Sequence, residues 1–214
     1  MTPPAKDFEF EYGIIKGYSG KSKKVAIPAK IGGTQVTEIG SAAFYENQLT
    51  SVVIPDSVTE IGSMAFFENK LTSVVIPKHV TVIEQFAFSH NQLTSVVIPE
   101  GVTRIGGNAF SNNQLTSVVI PEGVTEIRIA AFAHNQLTSV VIPDSVTEFE
   151  ENAFSDNQLT SVTIGANVSV YLNPLLKDHT VVVFDNSLDS YYADNGKKAG
   201  VYTYNGSGWS YSAK

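Results

Sequence analysis

Apolar and polar positions recur at a constant interval of 22 residues along most of this chain. Within residues 47–68 the apolar positions are Leu49, Val52, Ile54, Val58, Ile61, Ala65 and Phe66. The set returns in each following unit, up to residues 137–154. A period of about 20–29 residues with regularly placed aliphatics is typical of a solenoid, in which each turn of the chain stacks on the one before. We call each 22-residue unit a rung.

Two extended segments and one turn are predicted in each rung. The first extended segment, residues 49–54, matches the leucine-rich pattern L-x-x-L-x-L, with Leu49, Val52 and Ile54 inward, and it ends at Pro55. The second extended segment, residues 57–61, adds two inward aliphatics. The following residues 63–67 are too few for a stable helix, so we expect a single helical or 3-10 turn that buries Phe66. The predicted fold class is therefore an α/β leucine-rich-repeat solenoid, with a parallel β-sheet on its concave face, short turns opposite, and caps at both ends.

An asparagine precedes the first extended segment of every rung. The column consists of Asn47, Asn69, Asn91, Asn113, Asn135 and Asn157. An amide side chain can satisfy both a backbone donor and a backbone acceptor in a turn. We therefore predict a ladder of identical hydrogen bonds that runs along the stack.

Both ends depart from the repeat and predict caps, which a solenoid needs to cover its terminal apolar faces. We predict an N-terminal hairpin cap and degenerate first repeat in residues 1–35, leucine-rich repeats in 36–165, and a last partial repeat with a C-terminal cap in 166–214. The last region is expected to contain a strand at 180–184, a short helix at 187–193, and a hairpin turning at Asn205 and Gly206.

The run Ile54-Pro-x-x-Val58-Thr-x-Ile61-Gly-x-x-Ala65-Phe66 resembles the BspA-type leucine-rich repeats of bacterial surface proteins, also called the Treponema type. Residues 10–28 resemble the unit that commonly precedes those repeats. Family members often carry Cys at the Asn47 position and a 23-residue period, so this chain departs in two details. The resemblance implies display outside the cell, and binding of host proteins, other bacteria or matrix.

The outward positions of the first extended segment form three regular columns, and we predict them as the ligand-binding strand face. The predicted site residues are Thr72, Ser73, Val75, Thr94, Ser95, Val97, Thr116, Ser117, Val119, Thr138, Ser139 and Val141. Solenoids of this kind usually bind through the concave face. Three alternatives stay open: a merely solvated sheet on a passive spacer, an engineered consensus scaffold, or a face for a repetitive ligand such as a polysaccharide or ice.

Residues that vary from rung to rung lie in the turn segments. Tyr45 and Phe67 are candidates to anchor a partner, and neutral drift is the simpler alternative. The carboxylates of Glu100, Glu122 and Asp144 share a column. Such a column is consistent with a calcium site or with an acidic edge that is only exposed to solvent. We expect no metal site.

Composition narrows the functional classes. The net charge of -7 and the pI of about 5.0 argue against nucleic acid, because phosphate binding needs clustered Lys and Arg. The absence of Cys excludes thiol catalysis, and no motif for a catalytic nucleophile, a phosphate or a cofactor occurs. No apolar stretch is long enough to span a bilayer. We therefore predict a monomeric, non-catalytic, extracellular or cell-surface recognition or adhesion module, whose ligand is a protein or carbohydrate and whose signal and anchor lie outside this chain.

Overall fold

The computed structural model describes residues 2–168, 188, 196 and 198–213. It is a β-solenoid whose rungs repeat every 22 residues, with a parallel sheet and one short 3-10 helix, Ala5–Asp7, in the described residues. The strands are β1 (Phe8–Glu11), β2 (Ile14–Tyr18), β3 (Lys24–Ala26), β4 (Lys30–Ile31), β5 (Thr34–Gln35), β6 (Glu38–Ile39), β7 (Ser51–Val53), β8 (Glu60–Ile61), β9 (Val82–Ile83), β10 (Arg104–Ile105), β11 (Glu126–Ile127), β12 (Ser139–Ile142), β13 (Glu148–Phe149), β14 (Ser161–Ile164), β15 (Gly200–Tyr204) and β16 (Trp209–Ser212).

The continuous sheet of the molecule is built from the second extended segments. It has eight strands in the order β1-β2-β6-β8-β9-β10-β11-β13. Strands β1 and β2 form an antiparallel hairpin, and β2 then pairs in parallel with β6 of the first full rung. From β6 onward each strand pairs in parallel and in register with the strand one rung later, as Arg104 does with Glu126. The inward residue of each of these strands is buried, so this sheet covers one side of the core.

The first extended segments form shorter pieces of sheet than the pattern predicts. Strand β7 pairs with β3, β12 pairs with β14, and a single bridge joins Val75 and Val97 between them. The predicted inward set is confirmed, because Leu93, Val96 and Ile98 are all buried. The structure therefore differs from the prediction in how many residues of the first extended segments pair between rungs. It agrees with the prediction on which side chains face the core.

Proline explains part of this shortening. Gly165 occupies the position that proline takes in the preceding rungs, and its N–H donates to the carbonyl of Ile142 at 2.9 Å. Proline has no N–H, so the equivalent bond cannot form at Pro99 or Pro121. The four-residue pairing of β12 with β14 occurs where this donor is present.

The third side of each rung consists of hydrogen-bonded turns. In the rung of Phe66, the N–H of Ala65 bonds to the carbonyl of Gly62 and that of Phe67 to the carbonyl of Met64. Met64 and Glu68 have positive φ values of 58° and 51°, which interrupt any helical continuation. The turn predicted at residues 63–67 is therefore a pair of turns without a helix, and it buries Phe66 completely as expected.

A column of phenylalanine rings runs through the core beneath these turns. The rings of Phe66 and Phe88 stack at 5.4 Å with 7° between their planes, and those of Phe88 and Phe110 stack at 5.6 Å with 6°. The column is Phe44, Phe66, Phe88, Phe110, Phe132 and Phe154, all with a relative exposure of 0%. The constant period thus produces a continuous aromatic stack along the axis of the solenoid.

The asparagine ladder is confirmed. Asn91 Oδ1 accepts the N–H of Leu71 at 3.0 Å, and its Nδ2 donates to the carbonyl of Phe66 at 2.9 Å and to that of Phe88 at 3.2 Å. Asn69, Asn113 and Asn135 repeat these contacts. Asn47 begins the column, and among the described residues its side chain bonds only to the carbonyl of Tyr45. Each buried asparagine therefore connects its own rung to the rung before it.

At the C-terminal end, β14 pairs in antiparallel fashion with β15, which forms a hairpin with β16. The hairpin turns between Tyr204 and Trp209, where it was predicted. The predicted strand at 180–184 lies outside the described residues. The predicted helix at 187–193 does so as well, apart from Leu188, which is buried.

Candidate functional site

The predicted site residues all lie on the surface. Alternation in the first extended segment buries Val74 and Ile76, and it thereby turns Ser73 and Val75 outward. The three central valines are among the most exposed apolar side chains of the described residues, with relative exposures of 80% at Val75, 77% at Val97 and 78% at Val119. We call the predicted set the strand columns. They are Thr72, Ser73, Val75, Thr94, Ser95, Val97, Thr116, Ser117, Val119, Thr138, Ser139 and Val141, and each is exposed.

The hydroxyl groups of the strand columns are available to a ligand. In the described residues, the side chains of Ser73, Ser95 and Ser117 make no hydrogen bond, and the same holds for the other serine and threonine members of the set. By contrast, Thr103 Oγ1 in the second extended segment donates to the carbonyl of Thr81 at 3.2 Å. The strand columns, and Ser51 with Val53 one rung before them, therefore combine unbonded hydroxyls with exposed valines.

The position of the strand columns in the stack differs from the prediction. Sequence analysis placed them on the main parallel sheet, whereas the continuous eight-stranded sheet lies one segment later in each rung. The middle rungs are also farther apart along the strand columns: the N–H of Thr116 lies 3.4 Å from the carbonyl of Thr94, but that of Thr125 lies 2.8 Å from the carbonyl of Thr103. The distance shortens again toward the C-terminal end, where the N–H of Thr160 lies 2.8 Å from the carbonyl of Thr138.

The outward face of the eight-stranded sheet carries charges that sequence analysis did not single out. A groove of about 270 Å³ lies over its N-terminal half, and it is lined by Glu38, Thr59, Glu60, Ile61, Gly62, Thr81, Val82 and Glu84. The signal was present in the sequence, because the residue before each inward isoleucine changes between Glu, Val and Arg from rung to rung. Sequence analysis did not use this variation, because it assigned the second extended segment only the role of adding aliphatic side chains to the core.

Arg128 is the centre of a charge cluster on the same face. Its Nη2 lies 2.6 Å from Glu126 Oε2 and 3.3 Å from Glu148 Oε2, and its Nη1 lies 2.7 Å from Glu150 Oε1. The hydrogen bond to Glu150 raises the pKa of Arg128 above its ordinary value, and the hydrogen bond and charge of Glu126 raise the pKa further. Since the pKa of Arg128 is raised in the folded state, the contribution of its proton to the free energy of unfolding is fully present below the ordinary pKa of arginine. The guanidinium thus holds three carboxylates together.

Replacing Arg128 by methionine is expected to lower the free energy of unfolding by about 1–2 kcal/mol at pH 7, because three carboxylates then repel one another without a cation. At about 1 M salt the Debye length falls to about 3 Å, so screening should remove most of the deficit. Urea denaturation of both proteins at low and at high salt measures this difference. Arg104→Met is the matched control, since the Arg104 guanidinium contacts one carboxylate, Glu84 at 2.9 Å. Equal deficits at both salt concentrations would contradict the repulsion argument.

The repeat architecture is matched by a known family. The model of the BspA type leucine rich repeat region matches residues 37–161 in 6 copies, which is more than half of the chain. The chain belongs to the BspA-type leucine-rich-repeat family. The resemblance seen in residues 54–66 is thereby confirmed, together with the predicted repeat class.

Solved structures share this BspA-type solenoid. A leucine-rich repeat protein of T. pallidum superposes with a TM-score of 0.65 at 24% identity, and the match covers 92% of this chain and 96% of that one. A leucine-rich cell surface protein of Faecalibacterium prausnitzii superposes with a TM-score of 0.56 at 29% identity, and the match covers 92% of this chain and 55% of that one. A leucine-rich repeat protein of Bacteroides ovatus superposes with a TM-score of 0.57 at 25% identity, and the match covers 76% of this chain and 55% of that one. No curated protein matches the sequence.

Residues 2–168 and the described positions beyond them hold no group of three or more His, Asp or Glu side chains that are arranged to bind a metal ion. No helix within the same part of the chain has the length and apolarity needed to cross a bilayer.

Proposed function

We propose that the chain is a non-catalytic recognition module of a bacterial surface protein, and that it binds a protein or glycan ligand through the strand columns. Membership of the BspA-type family and the similarity to a cell surface protein of Faecalibacterium prausnitzii support the location. The absence of catalysis, the extracellular location and the monomeric state belong to this proposal.

The observation that carries the proposal is the row of exposed valines. Val75, Val97 and Val119 stand at equivalent positions of consecutive rungs, and each is more than three-quarters exposed. Contiguous exposed apolar side chains with polar neighbours are typical of interaction sites. The unbonded hydroxyls of the threonine and serine columns beside this row supply donors and acceptors that orient a ligand. The strand columns therefore place an apolar row next to polar rows, and recognition surfaces usually combine both kinds of side chain.

The test is a binding assay with the isolated chain and a triple variant, Val75→Lys, Val97→Lys and Val119→Lys. Immobilised extracellular matrix proteins, mucin and insoluble cellulose or chitin serve as probes. We expect the triple variant to lose about 100-fold in affinity for the probe that the native chain binds, because three charged side chains must be desolvated at the interface.

The matched control is the triple variant Gln92→Lys, Gln114→Lys and Gln136→Lys, which adds the same charge at exposed positions of three consecutive rungs, two of which are those of Val97 and Val119. Lys70 already occupies this column, so the fold accepts lysine there. Unchanged binding by the valine variant, or equal losses in both variants, would refute the strand columns as the binding site. Failure of the native chain to bind any probe would favour the passive spacer.

A repetitive ligand is a second candidate, and the uniformity of the strand columns favours it. The three valines have nearly identical exposures, and the rungs of a parallel stack are spaced by about 4.8 Å. A protein ligand concentrates its binding energy in a few contacts, whereas a repeating polymer or crystal face contacts every rung alike. Val75→Lys, Val97→Lys and Val119→Lys, made one at a time, should then weaken the binding of a repetitive ligand equally. For a protein ligand, the three losses of affinity should differ.

A further inference from the structure

Four aromatic side chains, two of them exposed and two partly buried, form a cluster over the turns of the first three rungs. The rings of Tyr45 and Phe67 stack at 5.5 Å with 12° between their planes. The ring of Phe67 also contacts the edge of Phe86 at 5.8 Å and lies 5.0 Å from the ring of His90. We call this cluster, Tyr45, Phe67, Phe86 and His90, the aromatic ridge. It is separate in sequence from the strand columns.

The core does not require aromatic side chains at these positions. The later counterparts of Tyr45 and Phe67 are Ser89, Ser111, Ala133 and Ser155, and these four residues are small and buried. A serine or alanine therefore satisfies the packing of this column. Tyr45 instead extends from the rung and is 39% exposed, and Phe67 is partly exposed. The two large rings therefore add partly exposed apolar surface and do not fill the core.

Two carboxylates flank the aromatic ridge without a cation. Glu46 and Glu68 directly follow the two stacked rings, and both side chains are exposed. In the described residues, neither carboxylate forms an ion pair with a Lys, Arg or His. The hydrogen bond from the Tyr45 hydroxyl to Glu46 raises the pKa of Tyr45, and the charge of Glu68 acts in the same direction. Each carboxylate also directly follows one of the stacked rings in the chain, so both can act with the rings on one ligand.

This combination suits a planar cation. A guanidinium group stacks on an aromatic face and forms two parallel hydrogen bonds to a carboxylate, whereas an ammonium group is a compact point charge. Acidic ligands are disfavoured by Glu46 and Glu68, and by the net charge of -7 of the whole chain. The Phe67 ring is occupied by its contacts with Tyr45, Phe86 and His90. The outer face of the Tyr45 ring, which is 39% exposed, is therefore the aromatic face on which a guanidinium can stack.

We propose that the aromatic ridge, together with Glu46 and Glu68, is a docking surface for a basic protein segment, in which an arginine side chain stacks on the Tyr45 ring that Phe67 supports from behind, and arginines of the segment pair with the two carboxylates. The surface is confined to the N-terminal rungs, because the later rungs lack the exposed rings.

The test uses the full chain and three labelled peptides of equal length, in which Gly alternates with Arg, Lys or Glu. Binding is measured by fluorescence anisotropy at low salt. We expect the Arg peptide to bind, the Lys peptide to bind at least about fivefold more weakly, and the Glu peptide not to bind. The variant Tyr45→Ser and Phe67→Ser should lose at least about tenfold in affinity for the Arg peptide. It should still fold, since serine occupies the same column at Ser89 and Ser111.

The carboxylates are tested with Glu46→Gln and Glu68→Gln, for which we also expect a loss of at least about tenfold. The control, Asp156→Asn and Glu122→Gln, removes the same charge, and Asp156 lies in the column of Glu46. The control should keep its affinity within about twofold. The proposal is overturned if the Arg peptide does not bind, if the control loses as much as the test variant, or if the serine variant binds as well as the native chain.

Discussion

Replacing Phe110 by alanine is expected to lower the free energy of unfolding by about 3–5 kcal/mol. The ring is fully buried and stacks between Phe88 at 5.6 Å and Phe132 at 5.4 Å, so its removal opens a cavity in the middle of the aromatic stack. Chemical denaturation followed by circular dichroism measures the change. Neighbouring rungs stabilise one another, so the loss should also appear as faster amide exchange in the rungs on both sides.

Val97→Ala is the matched control for this experiment, because Val97 is 77% exposed and its truncation leaves no cavity. We expect the control to change stability by less than about 0.5 kcal/mol. A loss below about 1 kcal/mol for Phe110→Ala would mean that the rungs collapse around the missing ring, and that the phenylalanine column does not set the spacing of the stack.

Replacing Asn91 by leucine is the second large effect, with an expected loss of about 1–3 kcal/mol. The carbonyls of Phe66 and Phe88 each keep a second asparagine partner, Asn69 and Asn113, at 3.0 and 2.9 Å. The N–H of Leu71, however, has Asn91 Oδ1 as its acceptor at 3.0 Å, and the variant leaves this N–H unpaired inside the protein. The cost is therefore that of a single orphaned donor.

Asn47→Leu provides the comparison within the same column. The Asn47 side chain is partly exposed and, in the described residues, bonds only to the carbonyl of Tyr45. Water can replace that bond, so we expect a loss below about 0.5 kcal/mol. Thermal denaturation of both variants tests the argument. Similar melting temperatures for the Asn91 and Asn47 variants would show that the ladder contributes little, whatever its geometry.

Much of the fold could be predicted because its determinants are local and repeated. Inward positions such as Leu93, Val96 and Ile98 follow from alternation and period, and the structure buries all three. The asparagine column was predictable because one side chain chemistry recurs at each entry turn. The N-terminal hairpin and the turn near Asn205 follow from local pairing and turn chemistry. The domain boundaries at residues 35/36 and 165/166 stay predictions.

The candidate surfaces could be predicted only in part. Exposure of the strand columns follows from alternation, but their use by a ligand stays a proposal. The aromatic ridge joins residues from three rungs, and its members sit at different positions of the repeat, since Phe86 belongs to another column than Phe67. The charge cluster likewise depends on the reach of Arg128 to Glu126, Glu148 and Glu150. Such contacts depend on side chain geometry between rungs, which a one-dimensional pattern does not contain.

The 22-residue period alone determined that the chain stacks into rungs with a shared apolar core, because no single rung can bury its own apolar face. Both extended segments of a rung contribute inward aliphatic side chains, so the pattern could not tell which of them carries the continuous sheet. The tertiary structure decided this through the distance between rungs. Where the rungs are close, at Thr103 and Thr125, the ladder is continuous; where they separate, at Thr94 and Thr116, and where proline removes a donor, the ladder is interrupted.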